Sequence, residues 1–453
     1  MAGSVRGEVR GGLLGRLLER EPEQARIIKR NPRRTVFELP SPFGPLIVKH
    51  FRVAGLADAL KGLLGRDRAR TEWNVARALR EAGLPAPEPL VVSARRGAVG
   101  FTLLAVRAIP DAVPLGGFLE ARFCPGDGRG EEKRPWVRAA VRLLSRLHEA
   151  GFEHRDYHGG NLLVSGEGDP ESSLTVIDLH RVRIGVRVGT GRRISALADL
   201  LHTLRFSLDP EETRFALHEY LAAAGERTAR MAAWERRLNC ALLERERRRI
   251  QSRTKRCVRE SSLFEPVRLG GVRGYKRRDV RLEELFAAVE SARQALQIGG
   301  PDVRSLARRS SVAVADCGAR RVAVKLYEQD GFRRGARGRL GKGRAGKAYV
   351  AAHGLKVRGV PVPEVVAWLR TPDRAFCVME EVQEAQPLSV QSFRLLPGEE
   401  LGSVADQADQ AVLRLLCSLF RCGGQVHDLS PKNILVRCGP GLEAGAELCD
   451  FDG

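Results

Sequence analysis

His154-Arg-Asp156-Tyr-His158-Gly-Gly-Asn161-Leu-Leu-Val164 decides the reading of this chain. A polar loop ends on an asparagine and passes at once into an apolar run of strand character. Leu174-Thr-Val-Ile177 is a second β-rich run, and it ends on Asp178. Upstream, Leu46-Ile-Val-Lys49 ends on a lysine, and Glu72 follows 23 residues later (72 − 49) in a helical segment, Arg70 to Glu81. Gly83-Leu-Pro-Ala-Pro-Glu88 then stops that helix, because proline cannot continue one. A longer helix, Trp136 to Ala150, sets Val137, Val141, Leu144 and Leu147 on one face and leads into the loop.

The chain then repeats this order. Val322-Ala-Val-Lys325 stands 276 residues after its counterpart (325 − 49), and Gly359-Val-Pro-Val-Pro-Glu364 keeps the same offset (359 − 83). Asp428-Leu-Ser-Pro-Lys-Asn433-Ile-Leu-Val matches the opening stretch at 272 (428 − 156), as Asp450 matches Asp178 (450 − 178). Self-similarity of this length implies two tandem copies of one domain. The expected division is an N-terminal extension (1–34), a first domain (35–255), a connecting segment (256–297) and a second domain (298–453). Helices are expected over 191–255, for example Ile194 to Phe206, and Tyr275-Lys-Arg-Arg278 reads as framing for the second copy. The sequence stops three residues after Asp450 (453 − 450), so the second copy is expected to lack part of its larger lobe.

The residue types point to phosphoryl transfer from ATP, which needs cations on the phosphates and a carboxylate at the acceptor hydroxyl. In that chemistry Asp156 is the catalytic base, and Asn161 and Asp178 hold magnesium. Lys49 grips the α- and β-phosphates, and Glu72 pairs with Lys49 to fix it. In the second copy Lys325 is the nucleotide lysine, Asn433 and Asp450 are the metal ligands, and Asp428 is the second base. Taken singly, Lys49 reads as a strand-edge lysine and Glu72 as a solvated helix carboxylate. The ordered set is what carries the assignment.

These phrases resemble the protein-kinase-like superfamily and, more narrowly, the lipopolysaccharide core kinase (Kdo/WaaP) family. The resemblance rests on Glu72-Trp-Asn with the following Gly-Leu-Pro-Ala-Pro-Glu-Pro, on His154 to Val164, and on Ile177-Asp-Leu-His-Arg181. It implies an α+β, protein-kinase-like bilobal fold, here duplicated in tandem with the second copy truncated at its C-terminal lobe. It also implies a kinase acting on an alcohol group, with ATP and magnesium as cofactors. The implied acceptor is a sugar hydroxyl of lipopolysaccharide core or a related glycolipid. His158 is similar to the histidine of small-molecule kinases of the aminoglycoside and choline type. A protein or small-molecule kinase of the same fold, and a regulatory pseudokinase pair, stand as alternatives.

Several positions depart from the pattern. Neither copy has a Gly-x-Gly-x-x-Gly loop, and Pro42-Phe-Gly-Pro45 and Asp316-Cys-Gly318 are the candidate hairpin turns. The position matching Glu72 is Ala348 (72 + 276), and His-Arg of the first loop becomes Val426-His427. The second copy is therefore expected to be catalytically silent. Gly341 to Ala348 falls short of a Walker A loop because no Ser/Thr follows Lys347.

A net charge of +21 favours anionic partners, and Arg247–Arg256 and Phe332–Lys347 are the most lopsided stretches. No zinc finger or Arg-aromatic interleaving accompanies it, so nucleic acid is not an expected partner. No apolar run reaches the roughly 18 residues of a membrane span, and no leader is read at the N-terminus. The expectation is a cytoplasmic protein in peripheral contact with anionic membrane at its inner face. Nine irregularly spaced cysteines read as reduced, mostly buried thiols.

Overall fold

Three consecutive antiparallel strands open the first sheet: β1 (Arg26–Asn31), β2 (Arg34–Leu39) and β3 (Leu46–Arg52). The computed structural model describes residues 24–31, 34–42, 44–52, 67–93, 101–123, 129–166, 168–226, 230–305, 310–328, 343–390, 401–421, 429–437 and 444–450. The chain divides into two units, Met1–Glu246 and Arg247–Gly453, with the division inside one long helix.

In the first unit the strands are followed by α1 (Arg68–Glu81), β4 (Pro89–Val92) and β5 (Phe101–Arg107), and the sheet runs β1-β2-β3-β5-β4. Asp67 caps α1 by accepting from Arg70 N–H at 2.9 Å. The helix turns Ala69, Glu72, Val75, Ala76 and Leu79 inward, one face at helical spacing. Residues 26–34, expected to lie in an extension, instead supply β1 and open β2. All six residues of β1 are exposed, so no buried alternation marked it as a strand.

The remainder of the first unit is mostly helical. β6 (Val113–Pro114) and α2 (Leu115–Arg122) lead to α3 (Gly130–Glu149) and then β7 (Glu153–His154). α3 begins six residues before the expected Trp136 and passes through Pro135. That proline costs a bond only to Glu131 in the first turn, and Glu131 and Glu132 suit the positive end of the helix. Next come β8 (Leu162–Val164), α4 (Pro170–Ser173), β9 (Leu174–Val176), β10 (Val182–Arg183), α5 (Thr190–Thr203), α6 (Pro210–Ala223) and α7 (Met231–Thr254). β6, β8 and β9 form a three-stranded sheet, with Leu162 opposite Val176. One apolar core joins α1, α2, α3, α5 and α6 around Leu144, Tyr157 and Leu197.

The second unit opens with β11 (Phe264–Leu269), β12 (Val272–Arg277) and α8 (Leu282–Ile298). β13 (Val303–Ser305), β14 (Ser310–Cys317), β15 (Arg320–Glu328), α9 (Gly343–Val357), β16 (Val365–Arg370) and β17 (Arg374–Glu380) follow. β18 (Gln386–Pro387), α10 (Leu401–Arg421), β19 (Ile434–Arg437) and β20 (Gly445–Leu448) complete it. Its sheet runs β11-β12-β16-β17-β15-β14-β13. Residues 256–297 are thus no connecting segment. The hairpin β11–β12 pairs with β16, and α8 buries Leu285, Ala288 and Ala292 against Ala313, Val322 and Val324 of the sheet. The hairpin turns through Gly270 and Gly271, both at positive φ, as a two-residue loop requires. A Cβ at Gly274 would meet the Trp368 carbonyl oxygen at 1.8 Å, so only glycine lets β12 approach β16.

Several details recur at the offsets read from the sequence. Lys49 stands opposite Val36, and Lys325 opposite Val312. Val176 N–H donates to Pro85 O at 3.1 Å, and Leu448 N–H to Pro361 O at 3.2 Å. Leu162 pairs with Val176, and Ile434 with Leu448. The Walker-like residues from Gly343 onward lie in helix α9. The described cysteines are all free thiols. Cys257, Cys317 and Cys377 are buried, but Cys240 and Cys417 are exposed, against the expectation of burial for most. No helix among the described residues is long and apolar enough to cross a membrane.

Candidate active site

Lys49, mid-strand in β3, has little choice of partner because strand and helix bury it. Its Nζ pairs with Glu72 Oε1 from α1, and both residues are buried. Desolvation on both sides makes this pair costly to break and fixes the ammonium. Glu72 Oε2 is buried with no hydrogen-bond partner, so one acceptor remains turned toward the cleft chemistry.

The loop after β7 is held from below by two buried rings. His154 is buried, and burial pushes its pKa down to about 4, against weaker opposing effects of the Ile177 carbonyl and of Asp156 and Asp178. Its neutral tautomer follows from its neighbours. Nδ1 accepts from Asp156 N–H at 3.2 Å, so Nε2 carries the hydrogen and donates to Ile177 O at 3.3 Å. Tyr157 donates to Ala140 O at 2.8 Å from within α3. Gly159 donates to Thr203 Oγ1 at 2.9 Å, and a Cβ there would meet Leu204 at 2.7 Å. The loop is seated directly on α5.

Asn161 donates from Nδ2 to Asp156 O at 2.9 Å, which leaves its Oδ1 as the outward end. Its backbone oxygen accepts from Ile177 N–H at 2.9 Å and so ties the loop to the segment that carries Asp178. Asp178 itself has φ 59°, the left-handed region that Asp tolerates better than most residues. Its Oδ1 accepts from Arg34 Nη1 at 2.8 Å and from His180 Nδ1 at 2.7 Å. Burial pushes its pKa up, but the His180 hydrogen bond, the charge of Lys49 and the bond and charge of Arg34 outweigh it. The carboxyl is held well below the usual carboxylate range. Asp156, by contrast, is part-exposed. Arg181 Nη1 lies 3.5 Å from its Oδ2, and His158 Nε2 lies 3.9 Å from its Oδ1.

Asn31, Arg34, Asp156, Asp178, His180 and Arg181 line one cleft of about 410 Å³. Lys49, Glu72, Asp156, Asn161 and Asp178, the residues expected in the first unit, therefore converge on one region. Asp178 and Asn161 offer hard oxygen donors of the kind magnesium takes, so the site fits that ion. Glu72, Asp178 and His180 also bring ligand atoms within 4.8 Å of one another, but Glu72 is committed to Lys49. Pro42 to Pro45 connects β2 to β3 and does not supply the cleft lining, and Phe43 lies outside the described residues. The turn beside the cleft is that of Asn31 and Arg34. Sequence reasoning missed Arg34 and left His180 without a role. A histidine two residues after the metal acid was the signal available for the latter.

In the second unit Asn433 ends a short 3-10 turn, is buried, and its backbone oxygen accepts from Cys449 N–H at 2.9 Å. Ala348 is buried in α9, and Lys325 Nζ instead bonds Asp450 Oδ1 at 2.8 Å. The expectation that Lys325 lacks a carboxylate is corrected: the acid assigned to the metal supplies it. Glu328 sits exposed at the strand end. Asp428 lies outside the described residues.

A cleft lined by a loop carboxylate and a second acid after a short strand, with a buried ion-paired strand lysine, is that of a kinase, a phosphotransferase of mixed helix and sheet. Residues 46–220 match the model of the lipopolysaccharide kinase (Kdo/WaaP) family. A 3-deoxy-D-manno-octulosonic acid kinase of Stenotrophomonas maltophilia (strain R551-3) is 28% identical over 204 residues, covering 42% of this chain and 75% of the relative. The kinase of the same description from Xanthomonas campestris pv. campestris (strain B100) is 27% identical over 158 residues, or 33% and 59%. Among solved structures, WaaP in complex with acyl carrier protein aligns with a TM-score of 0.36 and 21% identity, over 48% of this chain and 89% of that one. An aminoglycoside-3'-phosphotransferase of type VIII aligns with a TM-score of 0.32 and 19% identity, over 48% and 93%.

Proposed function

We propose that the first unit transfers the γ-phosphoryl group of ATP to a sugar hydroxyl of lipopolysaccharide core or a related glycolipid. The observation that carries this is the meeting of Asp156 and Asp178 in one cleft, beside the buried Lys49–Glu72 pair. Lys49, oriented by Glu72, binds the α- and β-phosphates. Asp178 and Asn161 hold magnesium, which when bound neutralises charge on the phosphates. Asp156 accepts the acceptor's hydroxyl proton as the new O–P bond forms and the bond to the departing ADP oxygen breaks. Arg181, beside Asp156, favours an acceptor that carries negative charge. The similarity to 3-deoxy-D-manno-octulosonic acid kinases supports the same acceptor class. The test is incubation of the full chain with labelled ATP, magnesium and lipid-linked acidic core sugar. Label transferred to the lipid fraction supports the reading, and ATP turnover only with protein or aminoglycoside acceptors overturns it.

The second unit is read as a second copy that does not transfer. The recurring Lys-opposite-Val register and the paired hydrogen bonds to Pro85 and Pro361 support the copy, and the Lys325–Asp450 bond supports its silence. Attachment to anionic membrane follows from the charge of +21. Flotation with anionic liposomes at low but not high salt is the expected outcome, and equal flotation with neutral liposomes counts against it.

A further inference from the structure

Arg34, the first residue of β2, lies 144 positions from Asp178 in the chain, yet its guanidinium spans both carboxylate oxygens, at 2.8 Å from Nη1 and 3.5 Å from Nη2. The side chain is largely buried in the cleft wall. A guanidinium spanning both oxygens of a carboxylate competes with a divalent cation for them, because it occupies lone pairs the cation would use and the two positive charges repel one another. The sequence also has no Gly-x-Gly-x-x-Gly loop to cradle phosphates, and Asn31 and Arg34, paired at the end of β1 and the start of β2, line that cleft. A planar guanidinium matches phosphate oxygens as well as it matches a carboxylate.

We propose that Arg34 is a nucleotide-phosphate ligand that rests on the metal carboxylate while the cleft is empty. Nucleotide and metal then exchange partners with it: Arg34 moves from Asp178 to phosphate oxygens, and the metal takes Asp178. No covalent bond changes, and each charge leaves one opposite charge for another. His180 keeps its bond to Asp178 throughout and holds that carboxylate in place. This deepens the reading of the cleft as an ATP–magnesium site and rests on it.

The exchange sets two affinities moving in opposite directions, which neither a structural role nor a simple plug does. Arg34→Ala in the full chain is expected to weaken ATP binding with magnesium, read by calorimetry, about ten- to a hundredfold, the worth of a charge-assisted phosphate bond. The same variant is expected to bind Mn²⁺ alone more tightly, read by electron paramagnetic resonance, because Asp178 has lost its competitor. Tighter binding of both would mean that Arg34 only blocks the cleft, and looser binding of both that it only supports the fold. Either overturns the proposal, as does an unchanged ATP affinity. Should Arg34→Ala fail to fold, Arg34→Gln decides by the same two signs. A native chain that binds no ATP overturns the functional reading itself. A native chain that binds ATP, with variants that bind it equally, overturns only the role of Arg34.

Discussion

Lys325 of the second unit bonds Asp450 at 2.8 Å, whereas Lys49 of the first bonds Glu72 and leaves Asp178 to Arg34 and His180. The difference traces to one position, since the counterpart of Glu72 is Ala348 (348 − 72 = 276), buried in α9. A lysine bonded to Asp450 would compete with any cation for that carboxylate. Asp156→Ala is therefore expected to abolish ATP-dependent transfer by the whole chain, and Lys325→Ala or Asp450→Ala to leave it at the native rate. Residual transfer in the Asp156 variant that vanishes on adding Asp428→Ala would show the second unit to be a working kinase.

Asp156→Asn removes the base but keeps the loop, because the backbone N–H that His154 accepts and the carbonyl that Asn161 bonds are unchanged. Transfer is expected to fall by about 10²–10⁴-fold, the usual worth of a positioned base, with ATP affinity held. Asp178→Ala is expected to lower magnesium-dependent ATP affinity itself. Calorimetry beside a single-turnover assay separates the two, and equal loss of binding in both variants would undo the division of roles.

Much of this site could be read in advance, because order along the chain substitutes for geometry when loop, strand and acid are contiguous. Asn161 and Asp178 are legible since each adjoins a short strand, β8 or β9, that pairs with the other. Arg34 was not, because one arginine among 76 basic residues carries no local signature and its partner is 144 positions away. The segment 256–297 was misread for the opposite reason. It matches no stretch of the first unit, so comparison within the chain left it as a remainder, although Gly270-Gly271 between β-rich runs is a hairpin signal. The expected start of α3 at Trp136 fell six residues late, because the apolar face that marks the helix begins only after Pro135, its sixth residue.

Acid should weaken the first unit before it touches the carboxylates. Burial pushes His154 down to about 4, and burial followed by the charge of Arg193 pushes His148 down to about 3, from an unfolded value near 6.5. Above 6.5 both states are neutral and nothing is lost. Below it the unfolded chain gains protons that the fold refuses, so stability falls as pH drops from 6.5 toward 4, by roughly 1.4 kcal/mol per pH unit per histidine. Hydrogen exchange of the α3 amides is expected to accelerate between pH 6.5 and 4.5 after correction for intrinsic rates. His148→Gln should make that dependence shallower, and an unchanged slope would remove His148 from the account.

Lys133, buried in α3, bonds Glu212 at 2.7 Å and Ser207 O at 2.6 Å, while Glu212 also closes the capping box of α6 with Asp209. Glu212→Gln leaves a buried ammonium without its counter-charge and is expected to cost about 3–5 kcal/mol. The double variant Lys133→Met with Glu212→Gln should be less destabilised than Glu212→Gln alone. Denaturant midpoints of the three proteins check this, and strict additivity would rule out the coupling.

The hairpin β11–β12 has a consequence for how this protein stays apart from its own copies. A sheet that ended at β16 would present the backbone of Val365–Arg370 as an open template for strand addition. The hairpin pairs with that strand and moves the rim two strands outward, to β11. There Pro266 offers no N–H to a newcomer, and Glu265 and Arg268 add charge on either side of it. A fragment begun after residue 298 would keep every residue of the recurring lysine–asparagine–aspartate set and lose this guard. Such a fragment is expected to present β16 as a bared β-edge, which the hairpin covers in the full chain.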